Sequence, residues 1–417
     1  MQKKLDRAGS ILNPHRRISM RPAEGTHLLF LDDQGVLFYE PAQKLFHLNT
    51  TAAFIWCLLE EDKNSEEISA ELQTTFAISA KTASNYLSET EELLQSLGVI
   101  QGFEDTSNSD AADNARTPLE PADYNDACFI EERYYHLLNT HLRVRFSDPA
   151  QIPRVDPILA HLHDNTLSEY STTLDILADA TGNIRLYRDR VPVFYCDDII
   201  KLGPLAKSLA WQTAVDAYDF FIDIHAGVVG DGEHCLLLPA APGSGKSTLT
   251  AALVHHGFEY FSDEIAMFQE ENMEVCPAPL AICVKDTATE VLSRYYPQLP
   301  ELCLHLRGDE KWARYMPPPP TSIPPTNSLR PVGAIIFPRY KPGETTLIEE
   351  LPPAEAVESL MRECLIVDTH LDREKVSSLL KWIDRTPCYR LQVSDLEEAV
   401  DLLRALSRKI TNSPKSN

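Results

Sequence analysis

The chain has 417 residues, 43% of them hydrophobic, and carries 62 acidic against 38 basic side chains for a formal net charge of −24. That length and apolar content suit two or three globular domains, each with its own core. The acidic balance argues against a nucleic-acid partner, since phosphate binding needs a basic face that releases counterions, and no apolar run reaches the roughly 20 residues that span a bilayer.

The first 22 residues run against this balance, with Lys3, Lys4, Arg7, Arg16, Arg17 and Arg21 facing only Asp6. They lack the apolar core of a targeting signal, so residues 1–25 are expected to form a solvated basic arm. Two alternating strands follow, His27–Leu31 and Gly35–Tyr39, joined by Asp32-Asp33-Gln34 as a hairpin. Asn49 is a suitable N-cap for a helix over Thr50–Leu59; Ser65 starts a second helix through Phe76, and Ser79 a third through Leu97. A hairpin and three short helices predict a winged-helix-like module over residues 26–102. Its low basic content favours a peptide over DNA as its partner. Trp56, Leu48 and Phe54 are read as its core, because apolar side chains at helical spacing are usually buried.

Residues 103–123 are polar, acidic and nearly free of large apolar side chains, which predicts a flexible linker. Beyond it, residues 124–410 alternate strand-like and helix-like segments. The strand candidates are Leu142–Phe146, Thr173–Leu177, Ile184–Tyr187, Val191–Tyr195, Glu259–Phe261, Ile265–Phe268, Leu280–Val284, Gly333–Phe337 and Thr345–Ile348. An apolar-periodic helix is expected over Leu205–Phe221, and an amphipathic helical region closes the chain. The fold class is α/β with a mixed sheet. Nine cysteines are scattered singly with no Cys-x-x-Cys pair. They suggest neither a cysteine zinc site nor a disulfide framework, and a reducing cytoplasm is the expected compartment.

One stretch names a ligand. Pro239-Ala-Ala-Pro-Gly-Ser-Gly-Lys-Ser-Thr-Leu249 follows the short apolar run Cys235–Leu238 and leads into a helix through Val254. A strand, a glycine-rich turn and a helix start carrying Lys246, Ser247 and Thr248 are the parts of a phosphate-binding loop. Pro242, Gly243, Ser244, Gly245 and the three residues after them would cradle the phosphates of ATP, Lys246 reaching the β- and γ-phosphates and the Ser247 hydroxyl ligating Mg²⁺. Ala240 stands where the usual pattern has its first glycine.

Binding alone does not select between kinase, hydrolase and switch; the surrounding groups do. Asp263-Glu264 ends the next short strand after the loop helix. Paired carboxylates there serve two needs, one holding Mg²⁺ and the other accepting the proton of an attacking hydroxyl. His225, before the strand that feeds the loop, is placed to orient a γ-phosphate or move a proton, although a lone histidine is more often a satisfied core residue. Of the basic set Lys285, Arg307, Lys311, Arg314 and Arg339, one or two would neutralise phosphate charge while the rest are solvated.

Two family resemblances rest on these residues. The N-terminal module resembles the PqqD-like peptide chaperones through Leu48-Asn-Thr-Thr-Ala-Ala-Phe-Ile-Trp56, Ile68-Ser-Ala-Glu-Leu72 and Leu94-Gln-Ser-Leu-Gly-Val-Ile100. That resemblance implies a module that holds the leader segments of ribosomally made peptides by adding a strand to its hairpin edge. Residues 124–410 resemble the HPr kinase/phosphorylase superfamily, whose fold is shared with phosphoenolpyruvate carboxykinase, and within it the HPr-kinase-related and lasso-peptide serine kinases. This likeness is carried by Ile224-His-Ala226, the loop, Gly257-Phe-Glu-Tyr-Phe-Ser-Asp-Glu264 and Ile336-Phe-Pro-Arg-Tyr340. It implies His225 and Asp263 as the catalytic pair, Lys246 on the phosphates, and Ser247, Asp263 and Glu264 at the metal. Glu264 replaces the family's second aspartate, and the further acidic metal ligand of true HPr kinases has no counterpart here. A homo-oligomer is also implied.

The expected function is therefore an ATP- and Mg²⁺-dependent kinase acting on a hydroxyl, serine above all, of a peptide or small protein presented by the N-terminal module. A small-metabolite kinase and a nucleotide-gated peptide-binding protein without phosphotransfer are the alternatives.

Overall fold

The computed structural model describes residues 21–31, 34–101, 124, 128–164, 170–179, 181–241, 243–269, 272–326, 328–363, 365–366 and 371–412. The proposed arm up to residue 20, the proposed linker 103–123 and the loop residue Pro242 lie outside them. The chain divides into two compact units, residues 1–113 and 114–417.

In the first unit, Thr26–Leu31, Gln34–Tyr39 and Lys44–Leu48 form an antiparallel sheet, the third strand being one the hairpin reading did not anticipate. Helices Thr50–Glu60, Ser65–Phe76 and Ala80–Ser96 follow. Their starts are set by side-chain caps. Asn49 Oδ1 accepts from the Ala52 amide at 2.9 Å, and Asn64, one residue before the expected Ser65, forms a reciprocal capping box with Glu67. Gly35 lets the first helix close on the sheet, because a Cβ there would lie 2.7 Å from the Ala53 Cβ. Trp56 and Leu48 are fully buried among Leu37, Ile55, Ile68 and Leu72, and the Trp56 indole N–H donates to Glu60 at 2.8 Å. Phe54 packs half-buried, edge-on to Phe76.

The second unit is mixed α/β. A five-stranded sheet takes the order Val191–Cys196, Ile184–Arg188, Thr172–Ala178, Thr140–Phe146, Glu131–Leu137, with Leu142, Val144, Phe146 and Ile176 in the core beneath helices Ile152–Leu159 and Leu202–Asp216. A larger, ten-stranded mixed sheet places Cys235–Pro239 between antiparallel Ala226–Gly230 and parallel Arg330–Tyr340. Glu259–Ser262 lies outside Ala226–Gly230, and Cys388–Val393 runs parallel to Arg330–Tyr340. Helices Lys246–His255 and Leu396–Thr411 cover one face through Leu249, Leu253, Val400 and Leu403. A small third sheet joins Ile282–Lys285, Trp312–Met316 and Leu304–Leu306.

Two expectations need correction. The helix expected over Leu205–Phe221 runs Leu202–Asp216, so residues 217–221 fall outside it, and the unanticipated strand Ile222–Ile224 pairs with Ala266–Phe268, with the Phe221 amide donating to the Phe268 carbonyl. The partner strand satisfies these backbone groups and draws the chain out of the helix. The C-terminal region is not helical throughout, since Cys388–Val393 inserts between helices Arg373–Arg385 and Leu396–Thr411. Among the described residues no helix is long and apolar enough to cross a membrane.

Candidate functional site

Strand direction gathers the candidate residues at one edge of the large sheet. Cys235–Pro239 ends there, Ala226–Gly230 begins there because Ala226 pairs with Pro239, and Glu259–Ser262 ends there because Ser262 pairs with Val228. His225 immediately precedes the second of these strands, Asp263 immediately follows the third, and the turn before Lys246 follows the first. The Ala226 amide donates to the Glu264 carbonyl at 3.1 Å and ties two of these strand ends together.

The turn has the backbone that its glycines permit. Gly243 and Gly245 have φ of +97° and +91°, a region where side chains with a Cβ are strained. The Tyr340 amide donates to the Ser244 carbonyl at 3.1 Å and braces the turn from the neighbouring strand. Gly245 caps helix Lys246–His255 with no side-chain hydrogen bond, so no capping side chain meets the first-turn amides. Ser247 and Thr248 are half-buried on that turn, and Lys246 is buried. Gly227 allows this helix to approach, because a Cβ there would stand 2.4 Å from Thr250 Oγ1.

Lys246 Nζ lies 3.0 Å from His225 Nε2. Burial first, and then the Lys246 ammonium, push the His225 pKa from 6.5 down to about 4, against the pull of Glu264. The ring is therefore neutral at physiological pH. Asp263 is only 3% exposed. Its Oδ2 accepts from the Cys283 amide at 3.3 Å, while its Oδ1 is buried with no hydrogen-bond partner. Burial raises this carboxyl from 3.8 to about 6, with Lys246 and a hydrogen bond from Ser247 pulling the other way. At neutral pH most molecules still carry it ionised.

Glu264 sits differently. Burial pushes its pKa up, but Lys207, Lys246 and Arg307 outweigh that and hold the carboxyl below its ordinary value. Lys207 Nζ donates to Glu264 Oε2 at 2.6 Å from within helix Leu202–Asp216. Lys207 was not singled out in the sequence, although a lone lysine among Leu205, Ala206, Leu209 and Ala210 is a charge on a core-facing register, which needs a buried partner. Cys283 and Tyr315 complete the cluster, and burial keeps both side chains protonated. Arg307 is the one member of the scattered basic set drawn into it, donating to Cys283 Sγ at 2.8 Å. Lys311 pairs with Asp309 and Arg314 with Asp286, while Arg339 is exposed.

The fold and this cluster define an α/β unit with a polar, partly buried centre at one edge of a mixed sheet, carried on a chain with a separate small N-terminal unit. Residues 34–100 of that unit match the family model described as Coenzyme PQQ synthesis protein D (PqqD), so the N-terminal unit contains a PqqD-like domain. No curated protein matches the chain. Among solved structures, TbiB1 in complex with the TbiA(beta) leader peptide is 25% identical over 20% of this chain and 99% of its own, with a TM-score of 0.19. The HPr(Ser) kinase/phosphatase from Coxiella burnetii is 12% identical over 45% of this chain and 88% of its own, with a TM-score of 0.22.

Proposed function

We propose that the chain is an ATP- and Mg²⁺-dependent kinase that phosphorylates a hydroxyl, serine above all, on a peptide or small protein held by its PqqD-like domain. The observation that carries this reading is the convergence of Lys246, His225, Ser247 and Asp263 at a helix N-terminus without a side-chain cap. Such an end offers amides to phosphate oxygens, and we read residues 239–249 as a phosphate-binding loop. The fit to a metal is supported by Asp263, whose buried Oδ1 lacks a partner within the protein. Ser247 and Asp263, with Glu264 beside them, would hold Mg²⁺, which supplies charge neutralisation on the transferring phosphoryl group.

The remaining roles belong to the chain. Lys246 provides a fixed positive charge for the β- and γ-phosphates, and its neighbour His225, held neutral by burial between Lys246 and the Glu264 backbone, adds no competing charge. Asp263, whose pKa is raised by burial to about 6 before a metal binds, would take the hydroxyl proton. Lys207 keeps Glu264 ionised and in place. The N-terminal unit, read as a winged-helix-like peptide holder, would supply substrate from the same chain at an effective concentration on the order of millimolar.

The test uses purified full-length protein with ATP, MgCl2 and serine-containing precursor peptides encoded beside it, read by mass spectrometry and ADP release. Phosphorylated peptide that disappears on deleting residues 1–105, with ATP binding retained, is the expected result. ATP binding without any phosphorylated product would instead favour a nucleotide-gated peptide carrier.

A further inference from the structure

A second cluster lies at the edge of the five-stranded sheet, made by residues that the kinase reading does not use. His136 and His141 face each other across strands Glu131–Leu137 and Thr140–Phe146, and their imidazoles stack with centroids 4.4 Å apart and planes 15° from parallel. The His141 amide and carbonyl both turn the other way, to Ser171, at 3.1 and 2.9 Å. The two histidines are thus a non-hydrogen-bonded cross-strand pair, the register at which facing side chains come closest. Asp164 joins them because its amide donates to the Tyr134 carbonyl at 3.1 Å, which anchors the residue beside the same edge strand. One ligand atom from each of the three lies within 4.8 Å of the other two.

We propose that His136, His141 and Asp164 bind a first-row transition dication of the Zn²⁺ class. Two imidazoles and one carboxylate are a donor set for zinc and its neighbours, whereas Mg²⁺ takes oxygen ligands. Bonds of about 2.0–2.2 Å in a tetrahedron place ligand atoms a little over 3 Å apart, so the imidazoles must turn out of their near-parallel stack to bring both nitrogens onto one ion. Two further features fit ligation rather than a chance stack. His141 Nδ1 is buried with no hydrogen-bond partner, and His136 has a hydrogen bond with the Leu138 backbone, the kind of outer contact that orients a ligating ring. Of the neighbouring histidines, His161 Nε2 meets the Pro279 carbonyl and His163 Nε2 lies 2.6 Å from Asp156, while His161 Nδ1 is buried without a hydrogen-bond partner.

Three protein ligands leave a fourth position. Beside the cluster lies a cavity of about 190 Å³ lined by His136, His161, Asp164, Pro279 and Pro324, which has room for water or a small anion. The site is separate from the proposed phosphate site, and neither depends on the other.

The experiment titrates chelator-stripped full-length protein with ZnCl2 by calorimetry, with MgCl2 in a parallel arm. One equivalent of Zn²⁺ is expected, with Mg²⁺ unable to displace it. His136→Gln and His141→Gln each weaken binding by about 100-fold or more and Asp164→Asn by about 10-fold or more, on the scale of lost metal ligands and their supports. His47→Gln, in the other unit, leaves it unchanged. Zn²⁺ raises the unfolding temperature of the wild type and not of the histidine variants. Should a variant fail to fold, zinc-dependent protection of His136 and His141 from diethyl pyrocarbonate in the wild-type chain gives the same answer. Absence of stoichiometric binding, binding that survives in His136→Gln and His141→Gln, or absence of protection overturns the proposal.

Discussion

Replacing Asp263 by asparagine separates what this carboxylate does for activity from what it costs in stability. In the unfolded chain the group titrates near 3.8, and in the folded unit near 6, because burial outweighs the attraction of Lys246 and the Ser247 hydroxyl. A folded-state pKa that is raised means that the folded state binds the proton more tightly. The group's stabilising contribution is thus complete below about pH 4 and is lost as pH rises through about 6. At about 1.4 kcal/mol per pKa unit, the gap between 3.8 and about 6 corresponds to about 3 kcal/mol of destabilisation once the carboxylate is fully ionised. Asp263→Asn removes that charge and keeps an acceptor for the Cys283 amide. The variant is expected to be more stable than wild type by about 2–3 kcal/mol at pH 8, with the gain vanishing towards pH 4, while phosphotransfer falls by about 100-fold or more. Calorimetric unfolding across pH 4–8 without nucleotide or metal, alongside turnover, measures both. A variant no more stable than wild type at pH 8, or a gain that does not shrink on acidification, would refute the reasoning.

Other substitutions test neighbouring contacts. Lys246→Met abolishes ATP binding and lets the His225 pKa climb from about 4 part of the way back towards 6.5, burial still holding it down, as an imidazole NMR titration will read; an unmoved titration contradicts the 3.0 Å contact. Gly227→Ala drives a methyl into Thr250 Oγ1 and costs about 1–3 kcal/mol with loss of activity. Gly227→Ala/Thr250→Ala recovers most of that stability, whereas simple additivity of the two changes by denaturant unfolding would show that the helix does not rest on this contact. Trp56→Ala removes a fully buried indole and costs about 3–5 kcal/mol, unfolding the N-terminal unit while ATP binding by the second unit persists.

Short-range signals were readable along the chain where one local interaction decides the structure. Asn49 and Ser79 start helices because their side chains reach amides three residues on. Gly35–Tyr39 forms the expected strand, but Val36, Leu37 and Phe38 are all buried, so both of its faces are covered and the expected alternation is not seen in burial. The boundary errors came where a distant partner decided. Ile222–Ile224 is a strand because Ala266–Phe268 lies beside it, and Lys44–Leu48 because Gln34–Tyr39 does. The candidate site divides in the same way. The glycines and Lys246 of the turn were legible because their spacing is itself the local geometry. Lys207, Cys283 and Tyr315 were not, and Arg307 stood out from four other basic candidates only in the fold, because they reach Glu264 and Asp263 from distant parts of the chain.

By itself the sequence determined the periodicities, the helix caps, the glycine-rich turn and the acidic break between two modules, since each depends on residues within a few positions of one another. Only the tertiary structure decided that His225 and Lys246 touch, that Asp263 loses its water and so rises to about 6, and that Lys207 is Glu264's partner. Desolvation and charge pairing depend on distance in space, and a mixed sheet brings to one edge residues that the chain keeps tens of positions apart.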